Sequence, residues 1–237
     1  INVFPTFENY VEQFEIFVKQ ITNGGILVYN EEDETVKKVA EEATNPIRKI
    51  AYQTPSYTVE DGTTLLDTPE GPMPIEVFGA HNLNNLAGAK WICQNMGVDE
   101  ADFYEAIASF KGASKRLEKI AEGKGKVAYK DFAHSPSKVS ATTKAVKNQY
   151  PDRKLIACLE LHTYSSLNAE FLKEYQGALD AADVAVVFYS PDAVKIKQLE
   201  EVTYEQIAQS FQREDLIIYT NSADFKNFLF SQNFDNS

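Results

Sequence analysis

The stretch "KLIACLELHTYSSLNAEFLKEYQGALDAADVAVVFYS", residues 154–190, decides the fold. Its two apolar runs, "LIACLEL" and "VAVVFY", are short and almost continuous, the pattern of strands covered on both faces rather than on one. Between them lie a polar loop, "HTYSSLN", and a segment of helical spacing, "AEFLKEYQGAL". Strand, loop, helix and strand in that order make a crossover unit, which places the two strands parallel in one sheet.

Working outward, the same rhythm continues. Downstream come a loop "SPDAV", a helix "TYEQIAQSF", a strand "DLIIY", a loop "TNSAD" and a closing helix. Upstream, "KVAYKDFA" reads as a strand and Pro136 opens a helix, so residues 112–237 form an α/β domain with a mostly parallel sheet. "KGASKRLEKIAEGKGK" is polar and Gly-rich, and a boundary falls there near residue 112. Residues 1–111 form the other domain. In it, "TFENYVEQFEIFVKQIT" predicts a helix over 6–22 whose Phe and Tyr residues belong to a core, followed by strand "GILVYN", helix "EEDETVKKVAEEAT" and strand "IRKIAYQ". Residues 53–76 carry four prolines and two glycines and predict an antiparallel excursion. Two helices follow, one entered through "GAHN" and one capped by Asp99.

Composition narrows the class. The chain has 237 residues, 43% of them hydrophobic, enough for real cores. Its net charge of −12 argues against nucleic-acid or anionic-membrane surfaces. Cys93 and Cys158 sit inside apolar patterns and read as buried, reduced thiols of a cytoplasmic protein, not as a disulfide or zinc framework. No apolar run reaches the roughly 20 residues of a membrane span, and the first residues lack the regions of a signal peptide. The chain begins without Met and reads as processed or cut from something longer.

In parallel α/β sheets ligands bind outside the carboxyl ends of the strands. There this sequence gathers Asp131 and His134 after one strand, His162, Thr163, Tyr164 and Ser165 after the next, then Ser190 and Thr220-Asn221. Ser135 stands as N-cap before Pro136, so the helix would offer free amides to the crevice. Two readings stand for Asp131: it holds a ribose-like hydroxyl, or it caps its own loop with Ser135. Asn82 and Asn85, three apart on a helix, share a face that can hydrogen-bond one planar polar group, or Asn82 simply caps the helix. Arg116 and Glu118 lie at the boundary, either facing a ligand or solvated. No P-loop, dinucleotide fingerprint, nucleophile elbow or zinc-protease motif occurs. The missing glycine fingerprint disfavours a Rossmann oxidoreductase.

Taken in order, "GAHNLNNLAGA", "FKGASKRLE", "DFAHSPSKVSAT" and "LHTYSSLNAEFLKEYQGALDAADVAVV" resemble the Mur ligase family of peptidoglycan synthesis. The resemblance implies the remainder of a central ATPase-type α/β domain (1–111) followed by a Rossmann-like C-terminal domain (112–237). It implies an ADP-forming ligase that activates a carboxylate of UDP-N-acetylmuramate as an acyl phosphate, with ATP and Mg²⁺, and joins it to an amino acid or peptide. Asn82 and Asn85 would face adenine, Arg116 a phosphate, and Asp131 the ribose, with His134 beside them. His162, Tyr164 and Ser165 would face the amine substrate. The P-loop and metal ligands are expected upstream of this chain, and without them the piece alone is expected to be inactive. Within the family, "DFAH" and "KRLE" resemble the branch that attaches the peptide L-Ala-γ-D-Glu-diaminopimelate. "LHTYSS" resembles the alanine-adding branch, with Leu161 and Ser166 in place of a proline and an arginine. A non-catalytic nucleotide-binding α/β module is the remaining alternative.

Overall fold

The computed structural model describes residues 4–123, 125–200 and 202–232. The chain divides into two compact units that part between Phe110 and Lys111.

In the first unit, α1 (Phe7–Lys19) is capped by the Thr6 hydroxyl and leads to β1 (Ile26–Asn30). Next come α2 (Glu34–Glu42), whose N-cap Asp33 accepts from two backbone amides, and β2 (Arg48–Tyr52), paired parallel to β1 with Ile26 opposite Arg48. The proline-rich excursion is a three-stranded antiparallel sheet of β3 (Tyr57–Glu60), β4 (Thr63–Thr68) and β5 (Gly71–Ile75). Two helices follow, α3 (Ala80–Asn95) and α4 (Glu100–Ala108), the latter capped by Asp99 as expected. The core gathers Leu66, Ile75, Leu83, Leu86 and Phe103 from β4, β5, α3 and α4, with Val77 from the link between β5 and α3.

α1 departs from expectation. Only its Val18 is buried, while Phe7 and Phe17 are 63% and 62% exposed and Tyr10 and Phe14 also face outward. The apolar stripe exists, but it is covered only in part: α2 packs against α1 and Val18 is buried, while the aromatic side chains stay exposed.

In the second unit, β6 (Glu118–Gly123) and β7 (Lys126–Lys130) form an antiparallel pair. After α5 (Pro136–Gln149), β8 (Ile156–Glu160), β9 (Val184–Phe188) and β10 (Ile217–Tyr219) make a parallel sheet in the order β10-β9-β8. Helices α6 (Ala169–Leu172), α7 (Pro191–Ile196), α8 (Tyr204–Phe211) and α9 (Ser222–Ser231) complete it. The α/β class with parallel sheets is as expected, with corrections in detail. β7 ladders with β6 rather than with the parallel sheet, and β6 lies in the stretch read as a polar boundary. Its residues are almost all exposed, so it shows no alternation of apolar residues. The helix expected over "AEFLKEYQGAL" ends in a 3-10 turn at Lys173–Tyr175, because Gly177 turns left-handed at φ 72°. "SPDAV" is a helix start, not a loop. Both thiols are free, but Cys93 is only partly buried and Cys158 is exposed on the edge strand β8.

The core of this unit runs from Val139 through Leu159, Leu172, Val187 and Ile207 to Leu216. At its centre Tyr175 and Phe211 stack with ring centroids 5.2 Å apart, both 2% exposed or less.

Candidate functional site

The carboxyl ends of β7 and β8 lie together although the strands share no ladder. Phe132 and His134, just past β7, meet His162, just past β8: the Phe132 and His134 rings are 5.0 Å apart, Phe132 and His162 6.4 Å, and the two imidazoles 6.1 Å. Below this contact the strands part around a groove of about 1030 Å³, lined in part by Tyr129, Tyr150, Cys158 and Leu159.

Asp131 organises this end. Its Oδ2 accepts from the Leu117 amide (2.7 Å), and its Oδ1 accepts from the Ala133 amide (2.6 Å) and the Thr142 hydroxyl (3.4 Å). One carboxylate thus ties the turn before β6, its own turn and α5. A carboxylate has about four lone-pair directions, so Asp131 can still take a ligand hydroxyl. The two readings open in the sequence are therefore compatible.

Arg116 lies exposed between two residues in left-handed conformation, Lys115 (φ 57°) and Leu117 (φ 47°). Such backbone costs on the order of 1–3 kcal/mol per residue. It is held by carboxylates on both sides: the Leu117 amide donates to Asp131, and the Lys115 amide donates to Glu118 Oε2 at 2.8 Å. The Lys115 amide, with help from the Ser114 hydroxyl, keeps the Glu118 carboxyl below its usual pKa. The structure thus links the "SKRLE" and "DFAH" motifs directly, through Asp131.

His134 is fixed at two points. Its Nδ1 lies 2.8 Å from the Phe132 carbonyl, and its own carbonyl accepts from the Tyr175 hydroxyl. Burial pushes the Tyr175 phenol up to about 12, so it remains a donor across the physiological range. His162 Nδ1 is 3.3 Å from the Glu160 carbonyl. Tyr164 is half exposed, with the Lys197 ammonium 4.2 Å from its ring centre. The Ser165 hydroxyl is 3.2 Å from that of Thr163. Ser166 is 1% exposed, and its Oγ accepts from the Thr163 amide at 2.9 Å. The position where the resembling segment carries arginine is therefore an inward one in this chain.

Ser190 and Asn221 act as helix caps, and a crevice of about 420 Å³ lies between their turns. Ser135 takes the N-cap position with Pro136 in the first turn, but its side chain makes no cap bond.

Asn82 and Asn85 belong to the first unit, on the opening turns of α3. The Asn82 amide donates to the Phe78 carbonyl at 2.9 Å, and the exposed Asn85 side chain makes no hydrogen bond among the described residues. Between them sits Asn84, which no sequence signal marked out. Its amide donates to Glu32 Oε2 (2.8 Å), Thr54 Oγ1 (3.2 Å) and Asn30 Oδ1 (3.3 Å), at the carboxyl ends of β1 and β2. These partners lie 30 to 54 residues away in sequence, which is why local pattern could not find them. Among the described residues, no three His, Cys, Asp or Glu side chains are grouped to hold a metal ion, and no helix is long and apolar enough to cross a membrane.

This arrangement, polar loops at the carboxyl ends of parallel strands in both units, was compared with known proteins. Residues 1–93 match the Mur ligase middle domain. A UDP-N-acetylmuramate–L-alanine ligase of Caldicellulosiruptor bescii is 27% identical over 199 residues, covering 79% of this chain and 43% of that protein. A protein of the same name from Sulfurihydrogenibium sp. is 26% identical over 238 residues, covering 97% of this chain and 52% of its own length. A murein peptide ligase from Psychrobacter arcticus superimposes with a TM-score of 0.61 at 18% identity, over 96% of this chain and 50% of that one, a likeness of fold. The chain spans about half the length of the curated relatives it matches. The Mur ligase resemblance drawn from the four motifs is borne out along nearly the whole chain.

Proposed function

We propose that this chain is part of an ATP-dependent ligase that forms an amide bond on UDP-N-acetylmuramate. The observation that carries the reading is the alignment of 97% of the chain with a UDP-N-acetylmuramate–L-alanine ligase. In this reading ATP supplies the phosphoryl group that activates the carboxylate, and an amine then displaces phosphate. Asn82 and Asn85 face adenine, Asp131 accepts a ribose hydroxyl on its remaining lone pair, and Arg116 meets a phosphate from the turn that Asp131 and Glu118 hold in place. His162, Tyr164 and Ser165 face the amine. The phosphate cradle and the Mg²⁺ ligands come from residues outside this chain. Excluding water from the acyl phosphate is then the task of the loops after β7 and β8.

The named relatives favour L-alanine as the amine, whereas "DFAH" and "KRLE" favour the tripeptide L-Ala-γ-D-Glu-diaminopimelate. The deciding experiment measures ADP release by the full-length parent with Mg²⁺, ATP and UDP-N-acetylmuramate, offering each amine in turn. ADP release dependent on either amine supports the ligase and identifies its acceptor. Silence with both leaves a nucleotide-binding α/β module.

A further inference from the structure

The seat of α3 on the β1-β2 sheet is defined at two places. At one, Gly88 lies so close to Tyr52 that an added Cβ would stand 2.9 Å from the ring's Cζ. At the other, four residues earlier, Asn84 reaches the carboxyl ends of both strands. There Glu32 Oε2 accepts from Asn84 and from the Thr54 hydroxyl (2.7 Å), and Asn30 Oδ1 accepts from both Asn84 and the Glu32 amide (3.0 Å). A parallel rung, the Gln53 amide donating to Glu31 at 2.7 Å, ties the same two loops together. A packing contact allows a helix to rock; a polar latch at its first turns removes that freedom and fixes its rotation about its own axis.

Asn84 lies between Asn82 and Asn85, which share a different side of these turns. We propose that Asn84 is a positioning residue: through Glu32 and Thr54 it fixes the angle at which Asn82 and Asn85 meet an adenine base. This inference rests on the nucleotide reading above. It assigns Asn84 no contact with the ligand. A planar base edge is read by paired donors and acceptors whose directions must match, so a small rotation of α3 costs discrimination more than it costs stacking or phosphate contacts.

The test uses the full-length parent with ADP and GDP, titrated by calorimetry, and three variants: Asn84→Leu, Thr54→Val and Glu32→Gln. Asn84→Leu is expected to weaken ADP binding about threefold to tenfold while leaving GDP unchanged. Thr54→Val, a nearly isosteric change on a partly exposed residue, shifts the ADP to GDP ratio in the same direction but less, and serves if Asn84→Leu does not fold. Glu32→Gln keeps an acceptor oxygen for Asn84 and retains the native ratio. In parallel, amide hydrogen exchange over residues 83–87 should speed up in Asn84→Leu without nucleotide present. A folded Asn84→Leu variant with native exchange, or with an unchanged ADP to GDP ratio, overturns the latch. If the unsubstituted parent binds neither nucleotide, the nucleotide reading itself falls, and the latch role falls with it.

Discussion

Two aromatic clusters of this chain, one in each unit, have similar compositions and opposite surroundings. In the second unit Tyr175 and Phe211 stack face to face in a sealed core. In the first, Phe4, Tyr10 and Phe14 touch edge to face, with centroids 5.2 and 5.0 Å apart, on the outer side of α1. Tyr175 and Phe211 come from two separate elements, whereas Tyr10 and Phe14 stand one turn apart on α1. Periodicity states that a face is apolar; what covers it is decided by distant segments. The core of the second unit is closed by α8, whose capping box at Thr203 and Gln206 starts it at the residue that delivers Ile207 and Phe211 inward.

The largest expected effect follows directly. Phe211→Ala removes a ring from a packed core and should cost about 3–5 kcal/mol in equilibrium urea unfolding, whereas Phe17→Ala should stay within about 0.5 kcal/mol. Equal losses for the two variants would mean that the α1 face is covered in solution, for instance by another copy of the chain.

A second pair sets the glycines of the two units against each other. Gly88 meets Tyr52 at van der Waals contact, and Gly123 at the end of β6 has no atom within 4 Å of where a Cβ would go. Gly88→Ala should therefore cost about 1–3 kcal/mol through displacement of the Tyr52 ring, although alanine is the better helix former. Gly123→Ala should be close to neutral. A stabilised Gly88→Ala variant would show that α3 can lift from β2, and would weaken the case for a fixed seat.

The particular residues also show what the amino-acid sequence reveals and what it hides. Continuous apolar runs announced β8 and β9, and their parallel pairing followed, because a crossover permits nothing else. The helix starts at Asp99 and Pro136 were written in single residues. β6 was hidden because an exposed strand has no apolar alternation, and its only signature is its partner. Asp131 was visible as a site residue, but its bond to Leu117 was not, since that bond spans 14 residues and depends on two left-handed turns. Asn84 was concealed most deeply, because its role lies entirely in contacts between the ends of different strands.

The smallest effect contrasts two helix starts, one in each unit, of which only that of α2 uses its local signal. Asp33 Oδ1 accepts from the amides of Thr35 and Val36 at 2.9 and 3.0 Å. Ser135 has the backbone of an N-cap (φ −100°, ψ 151°) and a proline after it, yet its hydroxyl bonds no amide of the turn. Proline at the first helical position leaves one orphan donor fewer in this turn, and the first intrahelical bond runs from the Val139 amide to the Ser135 carbonyl at 2.9 Å. Asp33→Ala should thus cost about 1 kcal/mol, the usual value of a working cap, and Ser135→Ala only a few tenths. The Ser135 hydroxyl is left free beside the turn of Asp131 and His134. If Ser135→Ala instead weakens nucleotide binding while stability is unchanged, the hydroxyl serves the ligand and not the helix, which is the one role at this position that its missing cap bond leaves open.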